Sequence, residues 1–141
     1  MAVEFFDHTA DVGAYITAPS IESLFTEAAA ALTATVTNAD RVEPRVSRHI
    51  TLHAPDINEL LVDWLSELVG RFDIEQFLAR SAAVTIREHA GEWKLEAHVR
   101  GDIAEPSRHP INVVVKGVTY CELRIEQTAD GIWRTRVIFD V

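Results

Sequence analysis

Apolar residues recur along this chain with two different periods. Ile21, Leu24, Phe25, Ala28, Ala29, Leu32 and Val36 fall at spacings of three and four and form one stripe. That spacing predicts an amphipathic helix. Pro19-Ser20 precedes it, and Ser20 suits the N-cap. A second, broader stripe follows in Ile57, Leu60, Leu61, Trp64, Leu65, Leu68 and Phe72. Asp56 stands just before it with Glu59 three residues on, an aspartate version of the capping box.

Elsewhere the period is two. Trp93, Leu95, Ala97 and Val99 point one way, and Lys94, Glu96, His98 and Arg100 the other. Ala82, Val84 and Ile86 make a similar face, so His89-Ala90-Gly91-Glu92 reads as a hairpin turn. A second hairpin is expected from 119–127 and 132–141 around Ala129-Asp130-Gly131. Segments 3–8, 13–18 and 46–53 complete the strands. The order β-β-α-β-α followed by several β, with long hairpins and few crossovers, predicts an α+β fold of mostly antiparallel sheet. The helical stripes would serve equally to cover one sheet or to lie between two.

Composition narrows the function classes. The 141 residues suit one domain, 1–141, and the chain carries no repeat, low-complexity tract or Pro/Gly-rich linker. Its net charge is −9, which argues against a domain that holds nucleic acid unaided. Such a balance suits a basic protein surface or cations. Cys121 is the single cysteine, so no intrachain disulfide can form. The start shows neither a basic n-region nor a long apolar stretch, and no apolar run approaches a membrane span. A cytoplasmic protein is expected.

The ends hold the densest chemistry. Residues 5–13 read F-F-D-H-T-A-D-V-G, with Asp7, His8 and Asp11 between apolar segments. Residues 137–141 read V-I-F-D-V, placing Asp140 beside the carboxylate of Val141. If the two segments meet, several anionic oxygens converge, and like charges held close call for a proton or a cation. A hard cation takes such oxygens. The alternatives are a tight turn capped by Asp11 and an edge strand ending in water. Glu59, Asp63 and Glu67 recur every four residues along the second helix, where a solvated edge is the plainer account. Arg108-His109 in a Pro-rich loop, with Lys116 beyond, suits phosphate or carboxylate contact on an exposed loop. His49-Ile50-Thr51 is a single H-x-T; enzymes that open cyclic phosphates with that device need two. No Walker loop, C-x-x-C or H-E-x-x-H occurs.

Taken together, these segments resemble the archease family. The resemblance rests on F-D-H-T-A-D-V-G, on L-L-V-D-W-L-S-E-L at 60–68, on R-H followed by V-K-G-V-T-Y, and on the final V-I-F-D-V. It implies two helices packed against or between antiparallel sheets. It also implies a divalent metal site, read as Ca²⁺, at Asp11, Asp140 and Val141. The implied function is to assist the GTP-dependent tRNA-splicing RNA ligase, promoting its guanylylation and repeated turnover. An older reading of the family is a chaperone-like modulator of RNA methyltransferases. Two departures stand out: Gly117 replaces another small residue, and Cys121 stands where the family has histidine.

The combined expectation is an α+β protein in a β/α/β three-layer sandwich. It is a non-catalytic activator with a metal-bearing acidic pole, and His8, His109 and Lys116 are its candidates for contact with the partner or its phosphates. No stable nucleic-acid binding and no membrane are expected. The rival is a metal-dependent phosphoesterase using His8 or His109 as acid/base.

Overall fold

The computed structural model describes residues 2–8, 11–120 and 123–141, with side chains at all of these but Asp7 and His8. Thr9 and Ala10 of the expected first turn, and Cys121, lie outside the described residues.

The chain folds as α+β, with both helices between two antiparallel sheets. One sheet is ordered β1 (Ala2–His8), β2 (Asp11–Ala18), β8 (Trp133–Asp140), β6 (Gly117–Val118), with β7 (Glu126–Gln127) also on β8. The other is ordered β3 (Val46–Ala54), β5 (Glu92–Ile103), β4 (Phe77–His89). Helix α1 (Ile21–Val36) touches β4 on one side and β2 and β8 on the other. Helix α2 (Ile57–Glu75) packs on β3, β4 and β5 and meets β6. The three-layer arrangement is therefore the one adopted.

Both helix starts follow the local chemistry. Ser20 accepts from the Ser23 amide at 3.1 Å, and Ser23 Oγ in turn accepts from the Ser20 amide. Asp56 accepts from the Glu59 amide at 2.8 Å. At the far end of α2, Gln76 adopts φ 63° and donates back to the Phe72 carbonyl, closing the helix with a left-handed residue. The helical stripes fill the core. Leu24, Phe25 and Ala28 of α1 and Leu60, Leu61, Trp64 and Leu65 of α2 are fully buried. They face Ala14, Ile16, Val137 and Phe139 from one sheet and Ile50, Leu95, Ala97 and Val99 from the other.

Strand alternation held in β5, whose Leu95, Ala97 and Val99 point inward. The β4–β5 turn is the one expected, with Ala90 and Gly91 both at positive φ as a two-residue hairpin requires. The long strand expected over 119–127 is broken. Of that segment's described residues only β7 is strand; β6 lies just before the segment, and the two are short partners at opposite ends of β8. Between them the Ile125 amide donates to Asn58 Oδ1 of α2 at 2.8 Å, and Leu123 is drawn into the core. A side chain from the helix layer thus takes a donor that a continuous ladder would have used.

Gly13 leaves room for the Phe6 ring on the first hairpin. A Cβ there would meet the Phe6 ring at 2.1 Å, because Phe6 lies across its register partner. Covering a strand glycine with a cross-strand ring recovers packing that the glycine lacks.

Candidate functional site

The two ends of the chain meet in one row of backbone partners. His8 pairs with Asp11 between β1 and β2. Asp11 pairs with Asp140 between β2 and β8, and Asp140 pairs with Gly117 between β8 and β6. Four strands therefore end at one edge of the sheet. Residues directly opposite in an antiparallel pair share a face, so the Asp11 and Asp140 side chains lie on the same side. Asp140 is exposed, while Phe139 before it is buried and anchors the strand end. Val141, the residue after the row, packs against the core with its side chain. The Lys116 amide donates to the Asp140 carbonyl at 2.7 Å, so exposed Lys116 sits next to the same pole.

Among the side chains described at this edge, the donors are the carboxylates of Asp11 and Asp140. That set suits a hard cation such as Ca²⁺ or Mg²⁺ rather than a soft metal. Two carboxylates directly opposite across a ladder also repel, which a cation would relieve. Among the described residues no three His, Cys, Asp or Glu side chains converge, so the set depends on the terminal carboxylate.

A further acidic group flanks β6. The charge of Asp56, then burial, then Glu59 and Asp63 push the Tyr120 hydroxyl up from its ordinary value. Burial, and next the charge of Asp56, hold the Asp63 carboxyl above the usual carboxylate range. Asp56, Glu59 and Asp63 therefore face Tyr120 as a half-buried group, which corrects the expectation of a solvated helix edge.

His109 departs from expectation. It is fully buried, not displayed on an exposed loop. The Glu105 amide donates to its Nδ1 at 3.0 Å, so the ring proton sits on Nε2, which donates to the Arg41 carbonyl at 3.2 Å. The Glu105–His109 turn folds the ring inward, and none of these partners belongs to the pole. His109 is a latch between the loop and the short turn Ala39–Arg41 that follows α1, and nearby the Asn112 amide donates to the Val36 carbonyl. As a contact for a partner or a phosphate it is withdrawn.

Beside His109 lies a polar cluster with no motif to announce it. Asp102 is 4% exposed, 3.0 Å from Arg108 and 3.7 Å from Arg45. Burial pushes its carboxyl up, but the Ile103 amide, Arg108 and Arg45 together outweigh this and hold it below the usual range. The one sequence signal is that Asp102 follows a strand of clean alternation, where a covered aspartate needs cations around it. A depressed carboxyl stabilises the fold above its unfolded value, and that contribution is lost as pH falls through the folded value. Asp102→Asn is therefore expected to flatten the acid limb. Between about pH 5 and about pH 3, its thermal midpoint should drop less than the wild type's, as read by circular dichroism.

Two helices held between antiparallel sheets, with an acidic oxygen-rich edge built from both chain ends, define a small α+β protein with a polar rim rather than a buried cleft. The Archease protein family profile matches residues 3–141, and the chain belongs to that family. It is 36% identical over 141 residues to protein archease of Methanopyrus kandleri, covering 100% of each chain. Against protein archease of Methanosarcina mazei it is 34% identical over 139 residues, covering 98% of this chain and 94% of the relative. The solution structure of protein 1598 from Methanobacterium thermoautotrophicum superposes with a TM-score of 0.85 at 31% identity, covering 99% of this chain and 98% of that one. No helix among the described residues is long and apolar enough to cross a membrane.

Proposed function

We propose that this chain is a non-catalytic accessory protein in tRNA processing. It promotes guanylylation and turnover of the GTP-dependent tRNA-splicing RNA ligase through its acidic pole. The observation that carries the reading is the row Asp11–Asp140–Gly117, which joins both ends of the chain at one sheet edge. Asp11, Asp140 and the Val141 carboxylate would hold one divalent cation; the oxygen donors suit Ca²⁺ or Mg²⁺, and the family resemblance implies Ca²⁺. When bound, a divalent cation would offset most of the charge of the three carboxylates and give the partner's oxygens a Lewis-acidic centre. Asp11 and Asp140 would hold it, Val141 anchors the strand end, and Lys116 supplies an exposed ammonium beside it. Ordering a partner's reacting groups is a sufficient source of rate enhancement without chemistry on the activator itself.

The test measures ligase guanylylation with wild-type protein, Asp11→Ala and Asp140→Asn. Each variant is expected to activate at least about tenfold less well, given what metal-site changes ordinarily cost. Ca²⁺ should raise the thermal midpoint of the wild type and leave those of the variants unmoved. Full activation by Asp140→Asn, with its fold intact, sinks the proposal. The phosphoesterase alternative predicts turnover of cyclic-phosphate ends with no ligase present; it has lost His109 as an accessible acid or base.

A further inference from the structure

The outer face of the β3–β5–β4 sheet carries a pair of histidines that the acidic pole does not use. His49 and His98 are direct register partners on β3 and β5, and both are exposed. Their rings lie 4.7 Å apart, centre to centre, tilted by 30°. We propose that this pair is a second metal site, selective for a divalent transition ion such as Cu²⁺ or Ni²⁺.

The spacing carries the argument. A metal–nitrogen bond of about 2.0–2.1 Å puts an imidazole centre about 3.2 Å from the ion. Two centres 4.7 Å apart then subtend roughly 95° at that ion. This is the cis angle of tetragonal coordination, which Cu²⁺ and Ni²⁺ favour, and it is tighter than a tetrahedral Zn²⁺ site prefers. Exposed rings turn readily about χ2, a broad torsion, so one nitrogen from each can be aimed at a common point. The strand pair fixes the two Cβ atoms, so the second ligand is already in place when the first binds.

The flanking rows hold no further imidazole, though the Glu96 carboxylate also feels the charge of His49. Ser47 and Arg100 form the next row of the face on one side, and Thr51 and Glu96 on the other. Glu96 is held by Lys94 at 3.2 Å. His53 is engaged by Glu92 at 3.2 Å. No third His, Cys, Asp or Glu joins the pair among the described residues, so water would complete the coordination. The nitrogen donors distinguish this site from the aspartate pair in the other sheet.

The experiment titrates Cu²⁺ or Ni²⁺ alone into the full chain by calorimetry, with the histidine ring protons followed by NMR. His49→Ala and His98→Ala should each weaken binding about a hundredfold, the usual gain from a preplaced second ligand. The double variant should bind at least as weakly as either single one. His53→Ala, His89→Ala and Asp140→Asn should leave the affinity unchanged, and excess Ca²⁺ should not displace the ion. All these side chains are exposed on the sheet face, turn or rim, and circular dichroism verifies that each variant keeps its fold. Tight binding that survives His98→Ala, or that disappears with Asp140→Asn, overturns the assignment.

Discussion

Trp64→Ala is expected to lower the free energy of unfolding by about 4 kcal/mol, in the range found when a buried large aromatic is deleted. Trp64 is fully buried in the middle of α2 and heads the largest side chains of the core. Its Nε1–H donates to the Phe25 carbonyl of α1 at 2.9 Å. The side chain thus fills the middle layer and ties one helix to the other. Removing it leaves a void between two sheets that cannot both collapse onto it, because each is fixed by its own ladder. Domains of this kind hold only about 5–15 kcal/mol in total, so the loss is a large fraction. Trp64→Phe keeps most of the volume and removes the donor, and is expected to cost about 1–2 kcal/mol. Urea denaturation of the three proteins checks both. An alanine variant within about 1 kcal/mol of the wild type would mean that the layer repacks, and would count against this account.

Gly101→Ala comes next in size. A Cβ at Gly101 would meet the Leu78 carbonyl oxygen at 1.9 Å and its carbon at 2.9 Å. Both atoms are backbone, so no rotamer change relieves the clash. Gly101 pairs with Ala79 just before the ladder shifts register between Ala79 and Ser81, and its carbonyl also accepts from the Arg45 amide at 2.8 Å. The strand is therefore held from both sides. Relief requires moving β4 or breaking the ladder, at a cost of about 3 kcal/mol or more, beyond ordinary overpacking. Gly70→Ala is the matched control. Gly70 lies inside α2 with nothing within 4 Å of an added Cβ. That change should stabilise by up to about 1 kcal/mol, since glycine is a poor helix former. Chemical denaturation measures the pair, and equal effects at the two positions would refute the steric argument.

The helices were legible because their periodicity and capping are local. Ser20 and Asp56 cap as their spacing indicates, and both stripes fill the core, with Ile21 and Ile57 packed at its margin. The β4–β5 hairpin was legible for the same reason, since alternation and an Ala-Gly turn lie within a short stretch of chain. The break between β6 and β7 was not legible. It depends on Asn58, which is 67 residues away from the amide it engages. The latch on His109 was hidden in the same way: a histidine between arginine and proline looks like surface until Arg41 and Glu105 are placed around it.

Periodicity and caps are interactions among residues a few positions apart, so chain order alone settles where the helices and the long hairpin fall. It also shows two acidic segments at opposite ends. Their meeting at the Asp11–Asp140 pair, the sealing of His109 and Asp102, and the juxtaposition of His49 with His98 belong to the folded molecule. His109 is sealed by a turn that closes only against Arg41. The others depend on strand register, which is chosen when apolar faces close on the helices between them, and a slip of one residue would turn those strand side chains to the other face.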